Sequence, residues 1–143
     1  MDRKRSKLTE AYIEIQKRMF FSSYEEGKSY ISDIQNKLMS MNNWHIIKHP
    51  QIRSMLFLLE KTLLEIAIYH KQSNVVILKH FRNLLRLSSF YDVESIYLTM
   101  FIIVDEFNRR GNQELANKLL HKGSRKIKNT LKFCKYIISE RKL

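Results

Sequence analysis

Residues 91–127 read YDVESIYLTMFIIVDEFNRRGNQELANKLLHKGSRKI, and this stretch decides the fold. Apolar residues recur in it at spacings of three and four, which places them on one helical face on each side of segment 108–112. Gly111 suits the end of the first helix, because glycine adopts the left-handed conformation found just past many helices without steric cost. The stretch therefore predicts two helices folded back on each other, with Asp92 as the N-cap of the first. The residues on the predicted faces are Val93, Ile96, Tyr97, Met100, Val104 and Phe107, then Ala116, Leu120, Gly123 and Ile127.

The composition of the whole chain points to the same architecture. Its 143 residues include three glycines and one proline, whereas folds rich in β-strands need such residues in turns at short intervals. Apolar residues make up 44% of the chain, which is enough for a hydrophobic core. We therefore expect one all-α domain over residues 1–143, with about six helices in three stacked antiparallel hairpins that form either a repeat-like stack or an irregular bundle. Residues 1–7 are expected to form a disordered basic tail.

The N-terminal part of the chain predicts the first hairpin. Apolar spacing predicts a helix over residues 7–21. Ser23, with Glu26 three residues later, has the form of a capping box, so a second helix is expected to start here and run to about Met41. Gly27 lies on the apolar face of this second helix, where the missing side chain allows a neighbouring helix to approach closely.

The middle of the chain predicts the second hairpin. Pro50 suits the first turn of a helix, and the residues from there to His70 are apolar almost all round, which predicts a central helix covered on several sides. Such a helix can be covered either by this chain's own helices or by a second subunit. A homodimer is therefore an alternative. A fourth helix is expected to begin at Ser73 or Asn74, although its β-branched start at residues 75–77 also allows a short strand.

The last hairpin resembles a tetratricopeptide repeat over roughly 34 residues. With Gly111 in the inter-helix turn, the packing positions of the repeat hold residues of matching type, namely Ile103, Val104, Phe107, Ala116, Leu120 and Gly123. The closing proline of the repeat is replaced by Lys128. The overall sequence pattern resembles the degenerate repeats in the C-terminal half of peptide-sensing regulators of the Rgg, MutR and PlcR kind. Those regulators carry an N-terminal helix-turn-helix, and residues 1–50 show no such motif. The resemblance implies a sensor or adaptor module in transcription regulation, without a DNA-reading domain.

The same resemblance selects a candidate ligand surface. Ligands of tetratricopeptide repeats lie along the first helices on the concave side, and the corresponding positions here are Phe101, Asp105, Asn108 and Arg109, beside Leu98. An extended peptide bound there would form backbone hydrogen bonds with Asn108 and a charge contact with Arg109. The alternative is that Leu98 and Phe101 belong to the core.

A second candidate surface follows from the charge, which is +12 for the whole chain. Residues 118–143 hold nine basic residues and one acidic residue. At about 100° per residue, the basic side chains of the last helix lie opposite its apolar side. The alternative is a solvated lysine face with no partner. The candidate polyanion-binding residues are Lys118, Lys122, Arg125, Lys126 and Lys132.

Residues that could carry catalysis or hold a metal are not arranged to do so. His45 and His49 are four residues apart, but Pro50 interrupts a helix there and no cysteine or carboxylate lies nearby, which favours solvated loop histidines. The single cysteine, Cys134, excludes an intramolecular disulfide and suits a small hydrophobic position on the last helix. No catalytic constellation or phosphate-binding loop stands out. We therefore predict no enzymatic activity, no cofactor and no metal site.

The remaining sequence evidence bears on location and function. No apolar run follows the basic N-terminal residues, and no run approaches the roughly 20 residues of a membrane span, so a cytoplasmic protein is expected. The leading hypothesis is a helical module that binds a peptide or a protein. One alternative is a nucleic-acid-binding protein that uses the basic terminal helix. Another is a small immunity or inhibitor protein that acts on an acidic partner.

Overall fold

The structure, a computed structural model, describes Glu10, Ile13, residues 23–40 and residues 50–141, with side chains described as far as residue 129. In these ranges the chain is all α-helical, which confirms the predicted fold class. The chain forms two compact units, Met1–Gln72 and Ser73–Leu143. Of the helix predicted over residues 7–21, only Glu10 and Ile13 are described, and both are helical. The elements are α1 (Tyr24–Met39), α2 (Pro50–Tyr69), α3 (Asn74–Leu87), a 3₁₀ helix (Phe90–Asp92), α4 (Val93–Arg109) and α5 (Gln113–Arg141).

The starts of α1, α2 and α3 follow the local rules on which they were predicted. The side-chain oxygen of Ser23 accepts a hydrogen bond from the backbone N–H of Glu26 at 3.2 Å, and Pro50 is the first residue of α2. Ser73 caps α3 in the same way, since its hydroxyl oxygen accepts from the backbone N–H of Val76 at 3.3 Å. Residues 75–77 therefore lie in the first turn of a helix, and the short strand that their β-branched side chains allowed is not formed.

In the first unit, α1 and α2 pack against each other in opposite directions. Gly27 near the start of α1 lies against Ile66 near the end of α2, whereas Gln35 further along α1 reaches Glu60. A Cβ atom built on Gly27 would lie 3.2 Å from Ile66 Cδ1, so a larger side chain would push the two helices apart. This contact matches the close approach predicted at Gly27.

The central helix of the first unit, α2, is covered on more than one side. The consecutive residues Leu63 and Leu64 are both fully buried, and neighbouring residues point about 100° apart round a helix. Its buried Glu60 carboxylate accepts a hydrogen bond from Gln35 Nε2 at 2.9 Å, which offsets the cost of removing that oxygen from water. Among the described residues, no helix combines the length and the apolar character that crossing a bilayer requires.

In the second unit, α4 and α5 form the predicted hairpin, and α3 contacts both of them. Gly111 has a φ of 77° in the turn, the left-handed conformation expected there. Asn112 then caps α5, because its side-chain oxygen accepts from the backbone N–H of Leu115 at 3.1 Å. Midway along the hairpin the helices approach closely, since a Cβ atom built on Gly123 would lie 2.9 Å from Met100 Sδ.

The core of this hairpin differs from the prediction at one position of α5. Leu119 is buried, whereas Leu120, which was predicted to face inward, is 40% exposed. The two leucines flank the stripe of Ala116, Gly123 and Ile127 on opposite sides, and only the flank with Leu119 is covered. The buried residues are Ile96, Thr99, Met100, Ile103 and Phe107 in α4, and Ala116, Leu119, Gly123 and Ile127 in α5.

The start of α4 also differs from the prediction. The carboxylate of Asp92 accepts hydrogen bonds from the backbone N–H and the hydroxyl of Ser89, at 2.8 and 3.1 Å, and makes no capping hydrogen bond to α4. Asp92 therefore closes the capping box of the 3₁₀ helix, and its side chain does not reach the N–H groups of the next helix. Val93, Tyr97 and Val104, predicted on the apolar face of α4, are half-buried at its edges.

Candidate functional site

One face of α4 points away from the core of the hairpin, and we call it the outer face of α4. Three of its side chains are large and hydrophobic: Leu98, Phe101 and Ile102 are 63%, 51% and 50% exposed. The alternative that Leu98 and Phe101 are core residues is therefore wrong. All members of this face are exposed: they are Glu94, Leu98, Phe101, Ile102, Asp105, Asn108 and Arg109.

Aromatic contacts hold part of this surface in place. The Tyr97 ring stacks on the Phe101 ring, with centroids 6.5 Å apart and planes inclined by 28°. This contact restricts the rotation of Phe101, so less side-chain entropy is lost when a partner covers the ring. Phe90 and Tyr91, exposed just before α4, meet edge to face at 6.0 Å. The sequence pattern predicted no surface position for Phe90, Tyr91 or Ile102, although α4 holds more apolar residues than one core face can bury.

The polar end of the outer face is an ion pair. Arg109 Nη2 donates a hydrogen bond to Asp105 Oδ2, one helical turn away. This hydrogen bond, and then the negative charge of Asp105, raises the pKa of Arg109 above its ordinary value. An exposed pair of this kind adds little stability, but it fixes the positions of one anion and one cation. With Asn108 beside the pair, the structure brings Phe101, Asp105, Asn108 and Arg109 together on one face, as predicted.

The neighbouring arginine has a structural role that the sequence analysis missed. Arg110 is mostly buried, and its Nη1 donates a hydrogen bond to the side-chain oxygen of Asn74 at 3.0 Å. Its Nε lies 3.8 Å from Glu106 Oε2. Because Asn74 begins α3 and Arg110 follows α4, this contact ties two helices of the unit together. No local pattern could predict a bond between residues 36 positions apart.

The second candidate surface is the basic face of α5, defined by Lys118, Lys122, Arg125, Lys126 and Lys128. All five side chains are exposed. Lys118, Lys122 and Arg125 lie opposite the buried stripe of the helix, and Lys126 and Lys128 flank them, as the helical spacing predicted. Within the described part of the chain, Lys118 pairs with Glu114 at 3.5 Å, and the other four cations form no ion pair. Lys132, also predicted for this surface, lies in α5 beyond the described side chains.

The two surfaces lie on opposite sides of the hairpin. The buried face of α4 meets the buried face of α5, as the contact of Met100 with Gly123 shows. The outer face of α4 therefore points one way, and the basic face of α5 points the other. A partner on one surface leaves the other free.

The remaining polar groups of the described residues do not form a further site. No three His, Cys, Asp or Glu side chains among them are placed to hold a metal ion. In the first unit, burial and then the negative charges of Glu25 and Glu60 raise the pKa of Tyr24. Burial also raises the pKa of Glu65, against the opposing effect of Lys61. The residues outside the described side chains include His45, His49 and Cys134.

Comparisons of this chain with protein-family models, with curated proteins and with solved structures find no match. The function is therefore inferred from the two surfaces of the second unit.

Proposed function

We propose that this chain is a non-enzymatic protein-binding module whose binding surface is the outer face of α4. The observation that carries the proposal is the adjacent exposure of Leu98, Phe101 and Ile102, each at least half exposed on one helix. Contiguous exposed apolar side chains mark interaction surfaces. When a partner covers these side chains, the complex is stabilised by about 25 cal/mol for each Å² of apolar surface removed from water.

The shape of the surface indicates what kind of partner it fits. A single helix face is a ridge, and ridges pack into the grooves between the side chains of another helix. An extended peptide needs a groove or a sheet edge, which one helix does not provide. The geometry therefore favours a helical partner over the extended peptide that the tetratricopeptide resemblance implied.

The test compares the protein with a Leu98→Ala/Phe101→Ala double variant in a quantitative pull-down from cell extract. Truncating two central side chains of an interface typically costs 2 kcal/mol or more, so we expect the bound partner to be depleted about 30-fold. The matched control is Val75→Ala, which truncates a hydrophobic side chain on α3 that is 75% exposed. The proposal fails if the double variant retains every protein that the wild type and the control retain.

A specific observation also favours a second function, the binding of a polyanion such as nucleic acid. Four exposed cations on the basic face of α5 have no intramolecular ion pair in the described residues, so their charge is available to phosphates. Contacts with phosphates release counterions, and the affinity therefore falls steeply as salt increases. The available cations are Lys122, Arg125, Lys126 and Lys128.

The corresponding prediction concerns the salt dependence of binding to random-sequence DNA and RNA. Replacing the four available cations by glutamine should lower the slope of log affinity against log salt by about 3 to 4. A control variant removes four exposed cations from other elements, namely Lys28, Lys37, Lys79 and Arg86. Equal slopes for the two variants would show that only the net charge matters, and absence of binding at low salt would exclude the function. Binding to polyglutamate instead of nucleic acid would indicate an acidic protein as the partner.

A further inference from the structure

The charges along the outer face of α4 are ordered. Glu94 lies at its N-terminal end and Arg109 at its C-terminal end, the apolar residues lie between them, and Asp105 lies one turn before Arg109 and pairs with it. The point midway between Phe101 and Ile102 is also midway between Glu94 and Arg109. A surface with opposite charges at equal distances on either side of an apolar centre is complementary to itself when it is turned through 180°.

We propose that the partner of this face is a second copy of this chain, bound through an antiparallel, two-fold symmetric pair of α4 helices. This inference rests on the proposed function, because it names the partner of the same surface. In the pair, Glu94 of each copy lies opposite Arg109 of the other. Phe101 and Ile102 of the two copies cover each other at the centre.

The charges also select this arrangement over its neighbours. If the register of the pair shifted by about one helical turn towards the N-terminus, Glu94 of each copy would lie opposite Asp105 of the other. These two contacts between like charges would disfavour the complex. A shift the other way would place Arg109 opposite Leu98 and remove both opposite-charge contacts, whereas the proposed register keeps these contacts and places Leu98 opposite Asp105. A parallel two-fold pair would place Glu94 against Glu94 and Asp105 against Asp105. Only the proposed register pairs both ends of the face with opposite charges.

The ion pair within the face is compatible with this arrangement. Arg109 uses Nη2 to donate to Asp105, and a guanidinium has five N–H donors in a planar fork. The remaining N–H groups can donate to a second carboxylate, so Arg109 can lie between Asp105 of its own chain and Glu94 of the other. Both side chains of the existing pair are exposed enough to permit this contact.

The net charge of +12 on each copy opposes association, but the five cations of the basic face of α5 are distant from the pair. The basic face of α5 lies on the other side of the hairpin from the outer face of α4. Helix axes pack about 8 to 10 Å apart, so the two basic faces are separated by several such layers. This exceeds the Debye length of about 10 Å at 0.1 M salt, and their repulsion is largely screened.

The size of the surface sets the expected affinity. The 17 residues of α4 span about 25 Å, so a pair of such helices forms an interface at the small end of the range for specific complexes. We therefore expect a dimer with a dissociation constant in the micromolar range, about 1 to 100 μM. Each copy in this dimer keeps its basic face accessible on the outside.

The test is sedimentation equilibrium of the full chain and of two charge-reversal variants, Glu94→Arg and Arg109→Glu. Each variant alone replaces two opposite-charge contacts by two like-charge contacts, and we expect its dimer to be at least about tenfold weaker. An equimolar mixture of the two variants restores opposite charges at both ends, so we expect association to return to the wild-type level. Circular dichroism checks that both variants remain helical, as expected for exposed positions.

The outcomes separate this inference from the proposed function. A wild-type chain that stays monomeric at several hundred micromolar overturns the second-copy inference, and so does a mixture that associates no better than either variant alone. If the wild type is monomeric but the pull-down still depends on Leu98 and Phe101, the proposed function stands with a different partner. If neither experiment depends on the outer face of α4, both proposals fall.

Discussion

Phe107→Ala is expected to lower the free energy of unfolding of the second unit by about 3 to 5 kcal/mol. Among the described residues, Phe107 is the largest fully buried side chain, with 0% exposure, and it lies in the last turn of α4, just before the hairpin turn. Its loss removes apolar contacts and leaves a cavity that rigid neighbouring helices fill only in part. Urea denaturation followed by circular dichroism measures the effect as a lower midpoint at unchanged slope.

The same helix provides a matched control for this prediction. Phe101→Ala deletes the same atoms from a ring that is half exposed, so we expect a loss below about 1 kcal/mol. Similar losses for the two variants would mean that the buried and exposed faces of α4 are assigned wrongly. The control also measures the effect on stability of one of the two substitutions in the Leu98→Ala/Phe101→Ala binding variant.

Gly123→Leu is expected to lower the free energy of unfolding by about 2 to 3 kcal/mol, because it overfills a close contact between two helices. A Cβ atom added at this position would lie 2.9 Å from Met100 Sδ and 3.3 Å from Leu119 Cδ1. The remaining atoms of a leucine would have to displace α4 or force the methionine into another rotamer. Thermal or urea denaturation of the variant measures the loss.

Two further variants separate steric crowding from other effects at Gly123. Gly123→Ala should be nearly neutral, because the flexible Met100 side chain can shift and alanine favours a helix by about 1 kcal/mol over glycine. Adding Met100→Ala to Gly123→Leu should recover part of the lost stability, because it returns space to the contact. A leucine variant as stable as the wild type would show that the helices are further apart than the structure places them.

Local rules were sufficient for much of the fold. The capping by Ser23, the helix start at Pro50 and the left-handed Gly111 depend on residues within one turn, and the structure has all three. The choice between Leu119 and Leu120 could not be made in this way. Both leucines flank the same buried stripe, and only the contacts of distant residues decide which flank is covered.

The candidate site shows the same limit. Asp105 and Arg109 are one turn apart, so their proximity follows from the helix alone. The helical periodicity does not predict whether Leu98 and Phe101 face the core or the solvent, because α4 is apolar over more than half of its circumference. At Asp92 two possible partners compete. The carboxylate was predicted to accept hydrogen bonds from the first turn of α4, but it accepts them from Ser89.

The contact of Met100 with Gly123 affects how readily this methionine is oxidised. The thioether of Met100 has 0% exposure, so peroxide can oxidise it only when α4 and α5 separate. Met39 is 43% exposed in α1 and reacts without any opening. The ratio of sulfoxide formed at the two methionines therefore reports how often the hairpin opens. Once formed, a bulky polar sulfoxide at Met100 would no longer fit against Gly123, and oxidative damage there would hold the hairpin apart.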